Sequence, residues 1–527
     1  MNHHSPELSP QRIRRLALGD MLQRSARRFG ARTALIDGDR QLSYQALNDA
    51  ANRLAHHLLG LGLAPQDRVG MLCANSIEMV VAIFGIHKAG LTWVPINHSL
   101  TADAIDYIAG HCEIRHMVMD AAFHAKPELR AMLAARGVEA LLTVPPGQAP
   151  AAGVPTLAQV VAAGPGEPPA VEIAPGQLAL IMYTSGTTGK QKGVMHSHES
   201  VLSALGSNAV ESGFRVGQEV CSGLLPLFHI GGYSNLLTAL YTGGATVLQR
   251  GFDAGALLDA IERHRITVVV GLPMMYAAMY EHPSRPARDL SSLRMCRYAM
   301  APMPRTLLLK LLDGFCPDFT LASGQTEVFP SATIFETHQQ RQRFGAYWGV
   351  GTLVNDVAVM AEDGRLLGPG EVGEIVFRGP NVMLGYYKDP EATAAVQRFG
   401  WHHTGDLGTW DGDGQLLFLD RLKDMIKSGG ENVPSIKVEE VLLRHPAVLN
   451  AAVVGLPHVR WGEAITAFVI LRPGAEAAKD DLVAHCKAHL AGFETPKDVV
   501  VLESMPMTST GKLQKVELRR LYQDHYP

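Results

Sequence analysis

In the first third of the chain, apolar residues alternate between two spacings. Over 47–61 they recur every three or four residues, as on one face of a helix, whereas 68–72 (RVGML) is an apolar run of strand length. The stretch 77–89 repeats the helical pattern and 93–96 the strand pattern. A second block does the same, with strands predicted at 179–183, 245–248 and 267–270 and helices at 200–210, 236–240 and 257–264. Such alternation predicts an α/β fold built on doubly wound, mostly parallel sheets. From about residue 354 the pattern changes to short strands and turns (VAVMAEDGRLL, GEIVFRG), which predicts a small antiparallel, barrel-like β unit. After Asp424 an α/β pattern resumes, with helices over 438–444 and 480–489 and strands at 451–454 and 467–471. The predicted partition is a large N-terminal domain, 1–422, and a small C-terminal domain, 423–527.

Two segments test this picture. The first thirty residues carry six arginines and few acids, as an organelle presequence does, but Leu16, Leu18, Met21, Leu22 and Ala26 sit at helical spacing. An amphipathic first helix is the reading favoured here. Residues 220–249 contain no Asp, Glu, Lys or Arg, yet Pro226, Gly231, Gly232, Gly243 and Gly244 interrupt them. They read as buried core, not as a membrane span or stable anchor.

Composition narrows the function. The chain has 527 residues, 47% hydrophobic and 19% charged, as in ordinary globular enzymes. A net charge of −4 gives no reason to expect nucleic acid as a partner. The six cysteines lie far apart with no C-x-x-C pair, which predicts free thiols in a reducing cytoplasm.

The strongest chemical signal is YTSGTTGKQKG at 183–193. Gly186, Gly189 and Gly193 let backbone N–H groups turn toward an anion. Thr184, Ser185, Thr187 and Thr188 add hydroxyl groups, and Lys190 and Lys192 add charge. A strand before and a helix after would place the loop where nucleotides bind in α/β folds. The kinase-type pattern G-x-x-x-x-G-K-[ST] fails, because Gln191 follows Lys190 and the spacing from Gly186 is too short. A flexible Gly/Ser/Thr linker is the competing account.

The loop resembles the signature of the adenylate-forming superfamily of acyl-CoA synthetases, luciferases and adenylation domains. Further motifs extend the resemblance over nearly the whole chain, in order: PLFHIGG (226–232), SGQTE (323–327), GEIVFRGPNVMLGYY (373–387), WHHTGDLG (401–408), DRLKDMIKSGGENV (420–433) and PMTSTGKLQK (506–515). Within the superfamily the chain is most similar to the AMP-forming acyl-CoA synthetases. The resemblance implies that ATP and Mg²⁺ activate a carboxylic acid as its adenylate, and that coenzyme A then takes the acyl group.

The implied roles are specific. Glu327 binds Mg²⁺, a hard cation suited to a carboxylate and phosphate oxygens, with Thr184 completing the site. Ser323, Gly324, Gln325, Thr326, Ala301 and Pro302 line the nucleotide site, Thr326 touching the α-phosphate. Asp406 holds the ribose hydroxyls with Arg421; by itself Asp406 is equally an ordinary residue of the turn TGDLG. Lys423 is the hinge of a mobile C-terminal domain that carries Lys512. An isolated lysine there would be a solvated charge, but the reaction joins two anions and needs a cation between them. After adenylation the domain turns, Gly429 and Gly430 admit the pantetheine arm, and Lys427 and His229 lie near the thioester chemistry. A buried core histidine is the alternative for His229.

Three departures bear on the substrate. Gln191 replaces a usual proline, Ser323 stands where an aromatic ring commonly stacks on adenine, and Tyr298–Ala299–Met300 replaces a smaller triplet beside the acyl pocket. With Tyr233, Ala299 and Met300 on the pocket wall and Tyr347 and Trp348 nearby, a short- to medium-chain or aryl acid fits better than a long straight chain. Met300 is equally a core filler. Amino-acid-activating relatives carry Asp after the aromatic residue of the first motif; here Phe228 is followed by His229. Two alternatives stay open, loading of a separate carrier protein and an inactive nucleotide-binding module. The oligomeric state is also open, a homodimer being one candidate.

Overall fold

The computed structural model describes residues 15–144, 151–184, 191–299, 303–343, 345–507 and 513–526. It is an α/β structure that divides into two compact units, 1–357 with 377–402, and 358–376 with 403–527.

The first unit contains two large sheets. In one, Leu178–Thr184, Thr92–Pro95, Arg68–Leu72, His116–Asp120 and Glu139–Thr143 lie side by side and parallel. Two antiparallel strands, Lys192–Ser197 and then Gly385–Tyr386, complete its edge. In the other, Met295–Tyr298, Val268–Gly271, Val220–Gly223, Ala245–Leu248 and Thr33–Asp37 form a parallel centre. The hairpin Phe319–Gln325 and Val328–Phe335 extends that centre past Met295–Tyr298.

Helix Ile77–Lys88 buries every residue except Glu78, and it packs against Tyr44–Gly60 and Leu18–Phe29. A helix apolar around its whole circumference is stable only inside such a layer. Leu18–Phe29 is the amphipathic first helix read from the sequence, with Leu18, Met21, Leu22 and Ala26 buried. The charge-free stretch forms strand Val220–Gly223, helix Ile230–Thr242 and strand Ala245–Leu248, all contributing to the core. No helix among the described residues is long and apolar enough to cross a membrane.

In the second unit, Trp401–Trp410 and Leu416–Arg421 pair antiparallel beside Gly373–Arg378. The C-terminal part is a mixed sheet in the order Glu431–Val433, Ile426–Ser428, Gly462–Leu471 and Val448–His458, with Asp498–Val501 parallel to Gly462–Leu471. Helices Ser435–Leu443 and Lys479–His489 cover it, burying Val438, Val441, Leu442, Leu482 and Cys486.

Candidate active site

The structure corrects one expectation about the phosphate loop. The described segment after it is a strand, Lys192–Ser197, which turns back antiparallel on Leu178–Thr184, with Thr184 opposite Lys192 and Tyr183 opposite Gly193. The loop therefore closes a hairpin instead of leading from strand to helix. Helix His198–Glu211 begins only afterwards, where the Ser197 hydroxyl accepts the Ser200 N–H. Six residues ending in polar His and Ser carry too little periodicity to read as a strand, so the helical signal from Ser200 onward extends over them. The Tyr183 hydroxyl bonds His111 Nδ1 at 2.6 Å and anchors the entering strand. Ser185, Gly186, Thr187, Thr188, Gly189 and Lys190 lie outside the described residues, as do Met300, Ala301, Pro302 and Lys512.

A second hairpin carries the next group. Ser323, Gly324 and Gln325 end one strand, Thr326 and Glu327 form the two-residue turn, and Val328 starts the return. The Ser323 hydroxyl meets that of Thr333 at 2.6 Å, so this side chain is engaged within the hairpin.

The two hairpins are joined by His196, which sequence reasoning missed. Its Nε2–H donates to the Thr326 carbonyl at 2.7 Å, and Nδ1 faces the Ser200 hydroxyl at 3.2 Å. The ring is fully buried and lies edge-on to Phe329. Burial pushes its pKa down to about 4, against the opposing pull of the Thr326 carbonyl. Only its in-facing position on a strand could have flagged it, and that strand was not predicted.

The carboxylate of Glu327 accepts a hydrogen bond from the Tyr386 hydroxyl on Oε1 at 2.9 Å. Its Oε2 has no partner among the described residues, and Thr184 ends the adjoining hairpin strand. Among the described residues no group of three His, Cys, Asp or Glu side chains is arranged to hold a metal ion. One carboxylate oxygen with a hydroxyl suits Mg²⁺ that takes most of its ligands from phosphate and water. The residues fit the ion.

His229 occupies the position before helix Ile230–Thr242 without a side-chain capping bond, and its ring lies 4.9 Å from that of Phe228. Burial holds its pKa down at about 4, and Nε2 is buried without a partner among the described residues. Phe228 also contacts His98, which stacks on Phe123, so aromatic rings run continuously from the helix start. Tyr233 was expected on the acyl wall. The structure sets it inside the core, fully buried, with its hydroxyl on His87 Nε2 at 2.8 Å and its ring against Trp93. Its apolar neighbours Leu236, Leu237 and Leu240 put that helix face inward. Ala299 is partly buried just beyond strand Met295–Tyr298.

In the second unit, Asp406 lies within strand Trp401–Trp410, not in a turn as its sequence TGDLG suggested. Gly405 there takes φ +72° and bends the strand without ending it. Asp406 is buried and stands opposite Arg421, Nε to Oδ1 at 3.3 Å. Lys423 follows, exposed, its pKa lowered chiefly by partial desolvation, and Asp424 is paired with Arg519 at 2.9 Å. Lys427 is exposed on Ile426–Ser428, its N–H on Glu463 Oε2. Gly429 (φ +63°) and Gly430 (φ +90°) form the hairpin turn to Glu431–Val433. Two consecutive positive φ angles define a type I′ turn, a requirement that glycine meets without strain.

The α/β fold and the sequence comparison together define the class: residues 22–387 match the AMP-binding enzyme family and residues 437–512 the AMP-binding enzyme C-terminal domain, so the chain belongs to this family. It is 37% identical to a feruloyl-CoA synthase of Amycolatopsis sp, covering 97% of this chain and 100% of that protein. It is 36% identical to the 3-[(3aS,4S,7aS)-7a-methyl-1,5-dioxo-octahydro-1H-inden-4-yl]propanoyl:CoA ligase of Mycobacterium tuberculosis, over 95% and 98%. Among solved structures, ATP-bound MatB from Rhodopseudomonas palustris superposes with a TM-score of 0.87 at 27% identity, covering 97% of this chain and all of that one.

Proposed function

We propose that this chain is an AMP-forming acid–thiol ligase that converts a ring-bearing carboxylic acid, of the arylalkenoate or arylalkanoate type, into its CoA thioester. The observation that carries the reading is the joining of the two hairpins by His196, which ties the turn bearing Thr326 and Glu327 to the strand bearing Lys192. Phosphate-binding cation and metal-binding carboxylate are thereby held by one framework.

In the first half-reaction a carboxylate oxygen of the acid attacks the α-phosphorus of ATP, and pyrophosphate leaves. Thr184, Ser185, Gly186, Thr187, Thr188, Gly189, Lys190 and Lys192 hold the leaving phosphates through N–H, hydroxyl and ammonium groups. Glu327 and Thr184 hold Mg²⁺, which when bound offsets phosphate charge. Asp406 accepts from the ribose hydroxyls, with Arg421 beside it, while Ala301, Pro302 and 323–326 flank the base and α-phosphate. Lys512 would supply the cation that offsets the repulsion between the two anions. In the second half-reaction the CoA sulfur attacks the acyl carbon, and AMP leaves with the original carboxylate oxygen. The segment from Lys423, including Lys427, Gly429 and Gly430, serves this step.

The ring-bearing substrate is supported by the two relatives named above, by the aromatic run from Phe123 through His98 and Phe228 to His229, and by the lack of an acid after Phe228 to pair an amino group. A cytoplasmic location belongs to the same reading, since all six cysteines are free and buried. Pyrophosphate exchange across a panel of cinnamate-type, benzoate-type and straight-chain acids tests the substrate class. The arylalkenoates or arylalkanoates are expected to give the highest kcat/KM, and a straight-chain optimum overturns that class. The absence of acid-dependent exchange with every acid of the panel would mean an inactive module, and acceptance of a carrier protein over CoA would mean a loading enzyme. Lys512→Ala is expected to lower adenylation by about 10²- to 10³-fold while sparing thioester formation from a supplied acyl-adenylate. Equal loss of both steps overturns the role of Lys512.

A further inference from the structure

The motif ending in Gly385–Tyr386–Tyr387 has no part in the chemistry above, yet it touches both halves of the phosphate site. Gly385–Tyr386 is a two-residue strand on the edge of Lys192–Ser197, with Tyr386 opposite Val194. Backbone bonds run on from it on both sides, Leu384 N–H to the Met195 carbonyl at 2.9 Å and Tyr387 N–H to the Gly193 carbonyl at 2.7 Å. One residue earlier, the Met383 N–H donates to the Glu327 carbonyl at 2.8 Å. The Tyr386 ring lies 4.8 Å from the Lys192 ammonium, and its hydroxyl donates to Glu327 Oε1 at 2.9 Å.

The strand is built to keep this placement. Gly385 has φ +146°, and a Cβ there would fall 2.8 Å from Thr393 Cγ2. The Thr393 hydroxyl accepts the Tyr386 N–H at 2.9 Å and donates to the Asp389 carbonyl at 2.8 Å. Tyr386 itself is 8% exposed. A carboxylate at the tip of a two-residue turn would otherwise rotate freely about its side-chain bonds. With Oε1 occupied by a neutral donor, the rotation is fixed, and Oε2, without a partner among the described residues, is left to bind the ion. Partners of this kind around a metal ligand tune affinity as strongly as some ligands do.

We propose that Tyr386 is a positioning residue for the cation-holding carboxylate, fixing Glu327 through its hydroxyl and Lys192 through its ring, so that the GYY motif sets carboxylate and phosphate cation in one register. The proposal rests on Glu327 being the Mg²⁺ ligand, and the experiment separates the two.

Tyr386→Phe removes the hydroxyl and keeps the ring. The Mg²⁺ concentration for half-maximal pyrophosphate exchange at saturating ATP and acid is expected to rise roughly tenfold. Calorimetric affinity for Mn²⁺–ATP should fall by a similar factor, with AMP affinity measured without metal, and the melting temperature, unchanged. Tyr386→Leu, which also removes the ring from Lys192, should weaken metal-free ATP as well. Glu327→Gln tests the underlying reading, since an unchanged Mg²⁺ curve there removes Glu327 as the ligand. If Glu327→Gln shifts the curve and Tyr386→Phe does not, the positioning role falls while the ligand stands. An equal loss of AMP and Mn²⁺–ATP binding in Tyr386→Phe also overturns it, as a general structural effect. On a Glu327→Gln background, Tyr386→Phe should add less than about twofold, whereas the full effect there overturns the coupling.

Discussion

Two of the hairpin turns that carry candidate site residues are held in opposite ways. The Gly429–Gly430 turn in the second unit keeps its shape by backbone alone, with both residues at positive φ and the Gly429 N–H on the Trp461 carbonyl at 2.8 Å. The Thr326–Glu327 turn in the first unit is made of ordinary residues and is fixed from outside, by His196 on one carbonyl, Met383 on the next and Tyr386 on the carboxylate. A glycine turn offers a smooth backbone, suited to a ligand that passes close by. A turn that must aim one carboxylate needs side chains around it, because backbone geometry leaves the side-chain torsions free.

Acid should break this contrast first. His196 and the fully buried His198, which accepts the Leu18 N–H at Nδ1, are each pushed down to about 4 by burial. An unfolded histidine titrates near 6.5, so below that value the unfolded chain binds more protons than the folded one. The stability each contributes is whole above about pH 6.5 and is lost as pH falls through about 4, roughly 3 kcal/mol apiece. Melting temperature of the first unit, followed from pH 7 to pH 4.5, should drop accordingly. In His196→Gln the slope should be shallower, and an unchanged slope would remove His196 from the acid response.

Truncating the same residue gives the next largest effect. His196→Ala leaves the Thr326 carbonyl without its donor and opens space against Phe329, at a cost of about 1–3 kcal/mol. Because the glutamate turn is then loosened, KM for ATP is expected to rise while binding of CoA is unaffected. Thermal melts with initial rates at varied ATP would check this, and a loss of stability with normal ATP dependence would reduce His196 to a core residue.

The smallest effect belongs to the glycine turn. Gly430→Ala places a Cβ at φ +90°, which costs about 1–2 kcal/mol in the second unit. Nothing lies within 4 Å of that Cβ, so the strain is in the backbone alone. Adenylation should be unchanged and thioester formation slowed. Equal slowing of both half-reactions would mean that the turn serves stability and not the thiol step.

Much of this was legible in the chain. Periodicity located the buried strand Arg68–Leu72 and the apolar helix Ile77–Lys88, since burial on both sides leaves unmistakable runs. Motif order pointed to the family, which the comparison shows, and to the roles proposed for Glu327, Asp406 and Lys423. What failed to show were short strands and their partners. Lys192–Ser197 and Gly385–Tyr386 are too brief for a period to emerge, so His196 and Tyr386 were invisible as neighbours of the glutamate. Asp406 looked like a turn residue because Gly405 bends a strand that pairing with Leu416–Arg421 holds together. Tyr233 was placed on the pocket wall by the resemblance alone, and the sequence gives no sign that its ring is buried against Trp93.

The sequence by itself determined the family, the α/β class and the types of donor available, because these depend on local spacing and residue chemistry. Tertiary structure alone decided how those donors are aimed. His196 and Thr326 are 130 residues apart, and Tyr386 and Glu327 are 59 apart. A hydrogen bond between such positions exists only once strands of two different sheets have been brought together, and no local pattern encodes that meeting.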